Sequence, residues 1–201
     1  MTASPDMCTY CFDVLLGHLE RGPEPSEPNF VNVKCALFVT WLKESTDGTS
    51  ELHLRGCIGS LSPLHLHHGL KNYALNSALK DKRFAPISVK ELPRLHCAVS
   101  LLDRFETATN YLDWEIGIHG LIIEFQDDNK IQYSATYLPE VASDQGWTKV
   151  ECIDSLVRKA GYSYAVTERH RLALKVTRYQ SSKTSLSYAE FSQRRKQVMR
   201  C

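Results

Sequence analysis

The chain has 201 residues, 43% of them hydrophobic and 23% charged, which is enough to build a sizeable core and too apolar for a disordered tail. Lys and Arg total 24 against 23 Asp and Glu, a formal net charge of +1, so nothing in the charge balance signals wholesale nucleic-acid wrapping. No apolar run reaches the ~18 residues of a membrane span, and Met1 to Asp6 has neither a basic nor an apolar leader. A soluble intracellular protein with no membrane partner is expected.

Pro5 to about Glu20 reads as an amphipathic helix: Ser4 is placed to cap it, and Cys8, Cys11, Phe12, Leu15, Leu16 and Leu19 recur at helical spacing. Gly22 to Pro28 holds three of the eight prolines and reads as a stiff surface connection. Cys35 to Leu42 is apolar almost throughout, the pattern of a strand covered on both faces. A turn at Thr46 to Ser50 returns the chain through a partner strand, Glu51 to Arg55. Ser62-Pro63 is expected to open a second helix running to about Lys80, with Leu66, Leu70, Tyr73, Ala74 and Ala78 inward. Ser88 to Glu91 forms a capping box whose helix Pro93 stops early.

Leu95 to Leu102 is the next strand. Leu121 to Phe125 and Ile131 to Tyr137 make a hairpin around Asp127 to Lys130, its second arm alternating cleanly. Thr148 to Glu151 caps a helix that Gly161 ends. Leu172 to Tyr179 is a late strand, and Ser187 to Glu190 caps a short terminal helix carrying Arg194, Arg195 and Lys196. Hairpins without regular βαβ alternation imply an α+β fold with a mainly antiparallel sheet flanked by helices.

The stretch Leu54-Arg55-Gly56-Cys57-Ile58-Gly59 carries the most specific chemical signal. Two residues apart on an extended chain, Arg55 and Cys57 are expected to share a face. Gly56 and Gly59 allow a ligand or another backbone to approach closely. In a functional reading, Arg55 clamps an anion and Cys57 is a contact or a nucleophile whose thiolate the guanidinium favours. In a structural reading the glycines serve a bulge or bend and Arg55 pairs with a carboxylate. A cysteine enzyme also needs a base, and His53, His67, His96 and His119 are the candidates. Arg83 has two readings, a local partner for Asp81 at the end of the second helix or a second cation beside Arg55.

Other motifs are weaker. His65 and His68 stand at helical spacing but lack a third ligand, and no metal or cofactor site is assigned. Cys8-x-x-Cys11 has no second pair and falls within a helix, so core packing is expected. Seven cysteines, an odd set in a chain of this size, suit a reducing compartment without disulfides. The cluster Arg194-Arg195-Lys196 with Arg200 reads as a solvated helix face, and nucleic acid is not the expected partner. Phosphate-loop, dinucleotide, nucleophile-elbow and calcium-loop patterns do not occur.

Leu54 to Gly59 resembles the hallmark hexapeptide of the AMMECR-domain family. The likeness runs in order along nearly the whole chain. It takes in Met7-Cys8 with Cys11 to Leu15, Pro28 through Trp41, Ser77 to Asp81 with Arg83-Phe84, Glu91 to Pro93, Tyr111 to Glu115, Ala135 to Ala142, Ile153 to Leu156, and Leu174 to Glu190. These segments are most similar to the animal branch. Ser60 stands where Thr is familiar, and His65 and His68 where the family shows no histidine, which weakens a family-wide metal site there.

The resemblance implies one domain over residues 1–201, built as two unequal lobes with the hexapeptide at or near a cleft between them. It also implies residence in the nucleus or cytoplasm, and brings no established reaction. Three expectations follow. The first is a binding module in which Leu54, Arg55, Gly56, Cys57, Ile58, Gly59 and Arg83 recognise a protein partner or a small anionic ligand. The second is a cysteine-dependent enzyme with Cys57 at the cleft. In the third the hexapeptide is purely structural.

Overall fold

The computed structural model of the protein describes residues 2–46, 51–127 and 129–198, so the expected turn, beyond Thr46, lies outside the described residues. In chain order the elements are α1 (Pro5–Glu20), β1 (Lys34–Glu44), β2 (Leu52–His65), α2 (Leu66–Leu79), a 3-10 turn (Val89–Arg94) and β3 (Leu95–Thr107). They continue with β4 (Gly120–Gln126), β5 (Gln132–Tyr137), α3 (Glu140–Asp144), α4 (Lys149–Lys159), α5 (Glu168–Leu172), β6 (Lys175–Ser187) and α6 (Tyr188–Val198). The fold is α+β, with one six-stranded antiparallel sheet of order β2-β1-β3-β6-β4-β5 and flanking helices. Two compact units divide the chain, Met1–Leu102 with Ser182–Cys201, and Asp103–Ser181.

The first unit packs α1 and α2 on β1 and its neighbours. Pro5 starts α1, but Ser4 caps it through its backbone carbonyl, which accepts from the Met7 amide at 3.0 Å, and not through its hydroxyl. Cys8, Cys11, Phe12 and Leu15 are sealed, and Phe12 stacks on Phe191 of α6 with ring centroids 4.9 Å apart. Along β1, Leu37, Val39 and Trp41 are sealed while Phe38, Thr40 and Leu42 are half-buried. The strand therefore has one fully covered face, not two. An antiparallel strand needs only one apolar face on the core.

The second correction concerns β2, which runs through Ser62 and Pro63 to His65, so that α2 opens at Leu66 and not at Ser62. Ser60 pairs with Leu37 and Leu64 with Cys35, leaving Leu61, Ser62 and Pro63 bulged out of the ladder. Since β2 is an edge strand, the missing proline N–H costs no sheet hydrogen bond. The buried stripe of α2 is as expected, with Leu66, Leu70, Ala74 and Ala78 inward and Tyr73 half-buried.

In the second unit Ile153, Leu156 and Val157 of α4 pack with Leu121, Ile123, Trp114 and Val176 in a separate core. Thr148 and Glu151 form the expected capping box, and Gly161 ends the helix at φ +99°. The short helices α3 and α5 were not expected. Leu172 belongs to α5, and β6 accordingly begins at Lys175.

Candidate functional site

The hexapeptide Leu54 to Gly59 lies wholly within β2, on the edge of the sheet. Trp41 pairs with Gly56 and Leu42 with Leu54, so Arg55 is an extra residue with no β1 partner. Such a bulge breaks the two-residue alternation. The Cys57 sulfur accepts from the Thr40 hydroxyl at 3.2 Å, opposite the half-buried face of β1. The Arg55 guanidinium meets a carboxylate that also holds Lys43, which lies on the alternate face of β1 with Trp41. The bulge sends the two side chains to different faces, which corrects the expectation that they share one.

Glu91 is the hub on the Arg55 side. Its carboxylate accepts from Arg55 Nε at 2.9 Å, Arg55 Nη2 at 3.3 Å, Lys43 Nζ at 2.8 Å and the Ser88 amide at 3.0 Å. Burial acts to raise its pKa, but the hydrogen bonds from Arg55, Lys43 and Ser88 outweigh this and hold it at about 2. The Arg55 side chain is only 13% exposed. Its Nη1 is buried and, among the described residues, has no hydrogen-bond partner.

Asp81 is the second hub. Arg83 grips it with Nε to Oδ1 at 3.0 Å and Nη2 to Oδ2 at 2.7 Å, and the Cys57 amide donates to Oδ2 at 3.0 Å. Hydrogen bonding by Arg83 is the main cause of a carboxyl held far below its ordinary range, against the opposing effect of burial. Arg83 Nη2 also reaches the Cys57 carbonyl at 3.4 Å. Together Asp81 and Arg83 cover both backbone groups of Cys57 on the free edge of β2, as a neighbouring strand would. Arg83 thus has the local partner the sequence offered, yet it also comes near Arg55, because both guanidinium carbons lie within 6 Å of the Phe84 ring centre, at 5.4 and 5.9 Å.

The glycines make room for the protein's own backbone. A Cβ at Gly56 would run into the Ser77 carbonyl of α2, and one at Gly59 into the Leu37 carbonyl and Phe38 of β1. Leu54 is exposed and Ile58 half-buried.

The candidate bases are placed apart in their bonding. His67 Nε2 bonds the Phe30 carbonyl at 2.7 Å, His96 Nε2 the Glu44 carboxylate at 2.8 Å, and His119 Nδ1 accepts from the Glu115 amide at 3.0 Å. His65 closes β2 while His68 sits in α2 against Asn72, so they do not form the helical pair the spacing implied. Among the described residues no three His, Cys, Asp or Glu side chains are arranged to hold a metal ion. Cys8 and Cys11 are sealed in the core. Burial, reinforced by those two sulfurs, pushes the Cys97 thiol well above its ordinary range. Arg194 pairs with Asp6 at 3.1 Å and Arg195 approaches Asp13 at 3.6 Å, which ties much of the basic terminus to α1.

His53, Leu54 and Arg55 instead line a recess of about 300 Å³ with Lys43, Glu44, Ser45, Thr46 and Arg94. Arg94 comes from the 3-10 turn and also donates to the Glu44 carbonyl. Three cationic residues from three elements line this space, while the Glu44 carboxylate bonds His96 and Glu91 offers one negative charge to two of the cations. The arrangement is suited to receiving an oxyanion. Sequence reasoning missed Lys43, Glu91 and Arg94. The capping box marked Glu91, but nothing local marked it as the counter-ion of a strand 36 residues away.

No helix among the described residues is long and apolar enough to cross a membrane. The chain is 50% identical to an uncharacterized protein of Arabidopsis thaliana over 95% of its own length and 88% of that protein. It is 37% identical to an uncharacterized protein of Schizosaccharomyces pombe, covering 92% and 94% of the two chains. The crystal structure of an uncharacterized protein from Pyrococcus horikoshii superposes with a TM-score of 0.73 at 25% identity, over 89% of each chain. Residues 8–184 match the AMMECR1 family, and with these relatives on three branches the chain belongs to it.

Proposed function

We propose that this AMMECR1-family protein is a binding module, and that the hexapeptide strand receives an anionic group of a partner or ligand through Arg55. The observation that carries the reading is the buried Nη1 of Arg55, without a partner among the described residues, on a residue that lines a cation-rich recess. A buried donor left without an acceptor costs on the order of 1–3 kcal/mol, and a small shift of the guanidinium toward the recess would let an oxyanion offset that cost. Arg83, paired with Asp81, stands near the same Phe84 ring as Arg55, while Cys57 lies on the other strand face and outside the recess. The glycines belong to a structural role within the same motif, since their neighbours are the protein's own carbonyls. The nucleophile reading is the weaker one, because His67, His96 and His119 each engage one ring nitrogen with a partner other than Cys57, and His53 pairs in register with Lys43 on the opposite strand face.

The test is an amide and guanidinium NMR titration with inorganic phosphate and with acetate. Saturable shifts confined to residues 43, 53–55 and 94 are expected, lost in a folded Arg55→Lys variant. Shifts scattered over the surface, or equal in the variant, count against the reading. The same reading takes the chain as an animal-branch member working in the nucleus or cytoplasm, which imaging of a tagged chain checks.

A further inference from the structure

The recess is small and holds more positive charge than its neighbours cancel. Pockets that enclose whole small-molecule ligands span roughly 300–1,000 Å³, and this one, at about 300 Å³, sits at the lower bound. It takes the charged end of a ligand and leaves the rest outside. Lys43 and Arg55 share the single carboxylate of Glu91. Arg94 donates to the Glu44 backbone carbonyl and meets no carboxylate among the described residues. The Glu44 side chain does not enter this balance: Lys43 pairs with His53 but Glu44 with Leu52, so the Glu44 carboxylate lies on the alternate face, where it bonds His96. Three cations against one carboxylate leave a formal surplus of two positive charges.

Donors are in excess as well. Lys43 Nζ spends one of its three N–H groups on Glu91, Arg55 keeps both N–H groups of Nη1, and Arg94 uses one nitrogen of its guanidinium on the Glu44 carbonyl. These residues come from β1, β2 and the 3-10 turn. A carboxylate holds its lone pairs in one plane, and a single guanidinium fork satisfies it. A phosphomonoester presents three terminal oxygens and carries nearly two negative charges at pH 7, which answers both the surplus charge and the supply of donors from three elements. No Phe, Tyr or Trp lines the recess, so no aromatic ring is there to stack on whatever carries the phosphate.

Resting on the anion-binding reading above, we infer that the recess takes a phosphomonoester in preference to a carboxylate, and that it reads the phosphoryl group alone. Arg55 Nη1, after its small shift, and Arg94 bond the terminal oxygens, and Lys43 supplies further charge. His53, in register with Lys43, borders the same space. The carrier of the phosphate stays outside the recess and adds little to the affinity.

The experiment uses the full chain at pH 7.5 and constant ionic strength, with NMR shifts at residues 43, 53–55 and 94 as the readout. The probes are glycerol phosphate, dimethyl phosphate, malonate and acetate, which separate a phosphoryl dianion from a phosphoryl monoanion, a dicarboxylate and a single carboxylate. Glycerol phosphate is expected to bind at least tenfold more tightly than each of the other three. N-acetylphosphoserine amide and adenosine monophosphate should match glycerol phosphate within about threefold. Arg94→Gln should weaken glycerol phosphate by tenfold or more and acetate by less than threefold, with Arg94→Lys recovering part of the loss. Circular dichroism verifies that each variant is folded. If malonate or acetate binds as tightly as glycerol phosphate, or if folded Arg94→Gln binds it like wild type, the phosphomonoester inference is overturned and the anion site stands. A spread of tenfold or more among the three phosphorylated carriers overturns the claim that the phosphoryl group alone is read. If no probe shifts these residues, the inference and the anion-binding reading both fall.

Discussion

Replacing Glu91 by Gln isolates the hub on which Arg55 depends. Gln retains the shape and can still accept from the Ser88 amide in the capping box, but it removes the charge facing Arg55 and Lys43. The carboxyl is held at about 2, against an ordinary 4.5. Holding the carboxyl that far down corresponds to about 3 kcal/mol, and the partial exposure of Lys43 brings the expected loss at pH 7 to about 2–3 kcal/mol. Because the folded-state value is depressed, this stabilisation is complete above pH ~4.5 and disappears as pH falls toward 2, with about 2 kcal/mol gone by pH 3. Urea denaturation of wild type and Glu91→Gln at pH 7, 5 and 3 measures the gap directly. It should be about 2–3 kcal/mol at pH 7 and narrow to about 1 kcal/mol near pH 3. A gap under ~0.5 kcal/mol at pH 7, or one of constant size across the range, would refute the assignment of Glu91 as the charged partner of Arg55.

Further predictions concern the other elements of the site. Gly56→Ala, forced against the Ser77 carbonyl, should cost about 3 kcal/mol or prevent folding, whereas Gly146→Ala, in open space at φ +64°, should cost only about 1–2 kcal/mol; thermal melts compare them. Asp81→Asn leaves an acceptor for the Cys57 amide but not the charge for Arg83, which is 57% exposed, so a loss of about 1–2 kcal/mol is expected in urea denaturation. Duplex DNA should show no retention by gel shift at ~0.1 M salt, since Arg194 and Arg195 face Asp6 and Asp13; a steep salt-dependent shift would contradict this.

Much of the fold was legible locally. Pro5, the Thr148–Glu151 and Ser88–Glu91 capping boxes and the positive-φ Gly161 mark helix ends through chemistry that needs only neighbouring residues. One failure arose where a proline had a second use. Pro63 suits a helix start as well as a looped-out edge strand, and only the pairing of Cys35 with Leu64 decided between them.

By itself the sequence determined the α+β class, the boundaries of α1 and α4, the buried stripe of α2 and the position of the one motif worth pursuing. These depend on periodicity and on bonds made within a few residues. The tertiary structure alone decided that Arg55 bulges, that Glu91 and Lys43 meet it, that the glycines answer Ser77 and Leu37, and that Arg94 faces the same recess. Each of those contacts joins residues distant along the chain. Their energies depend on burial and separation in space, and neither quantity is written in the order of the residues.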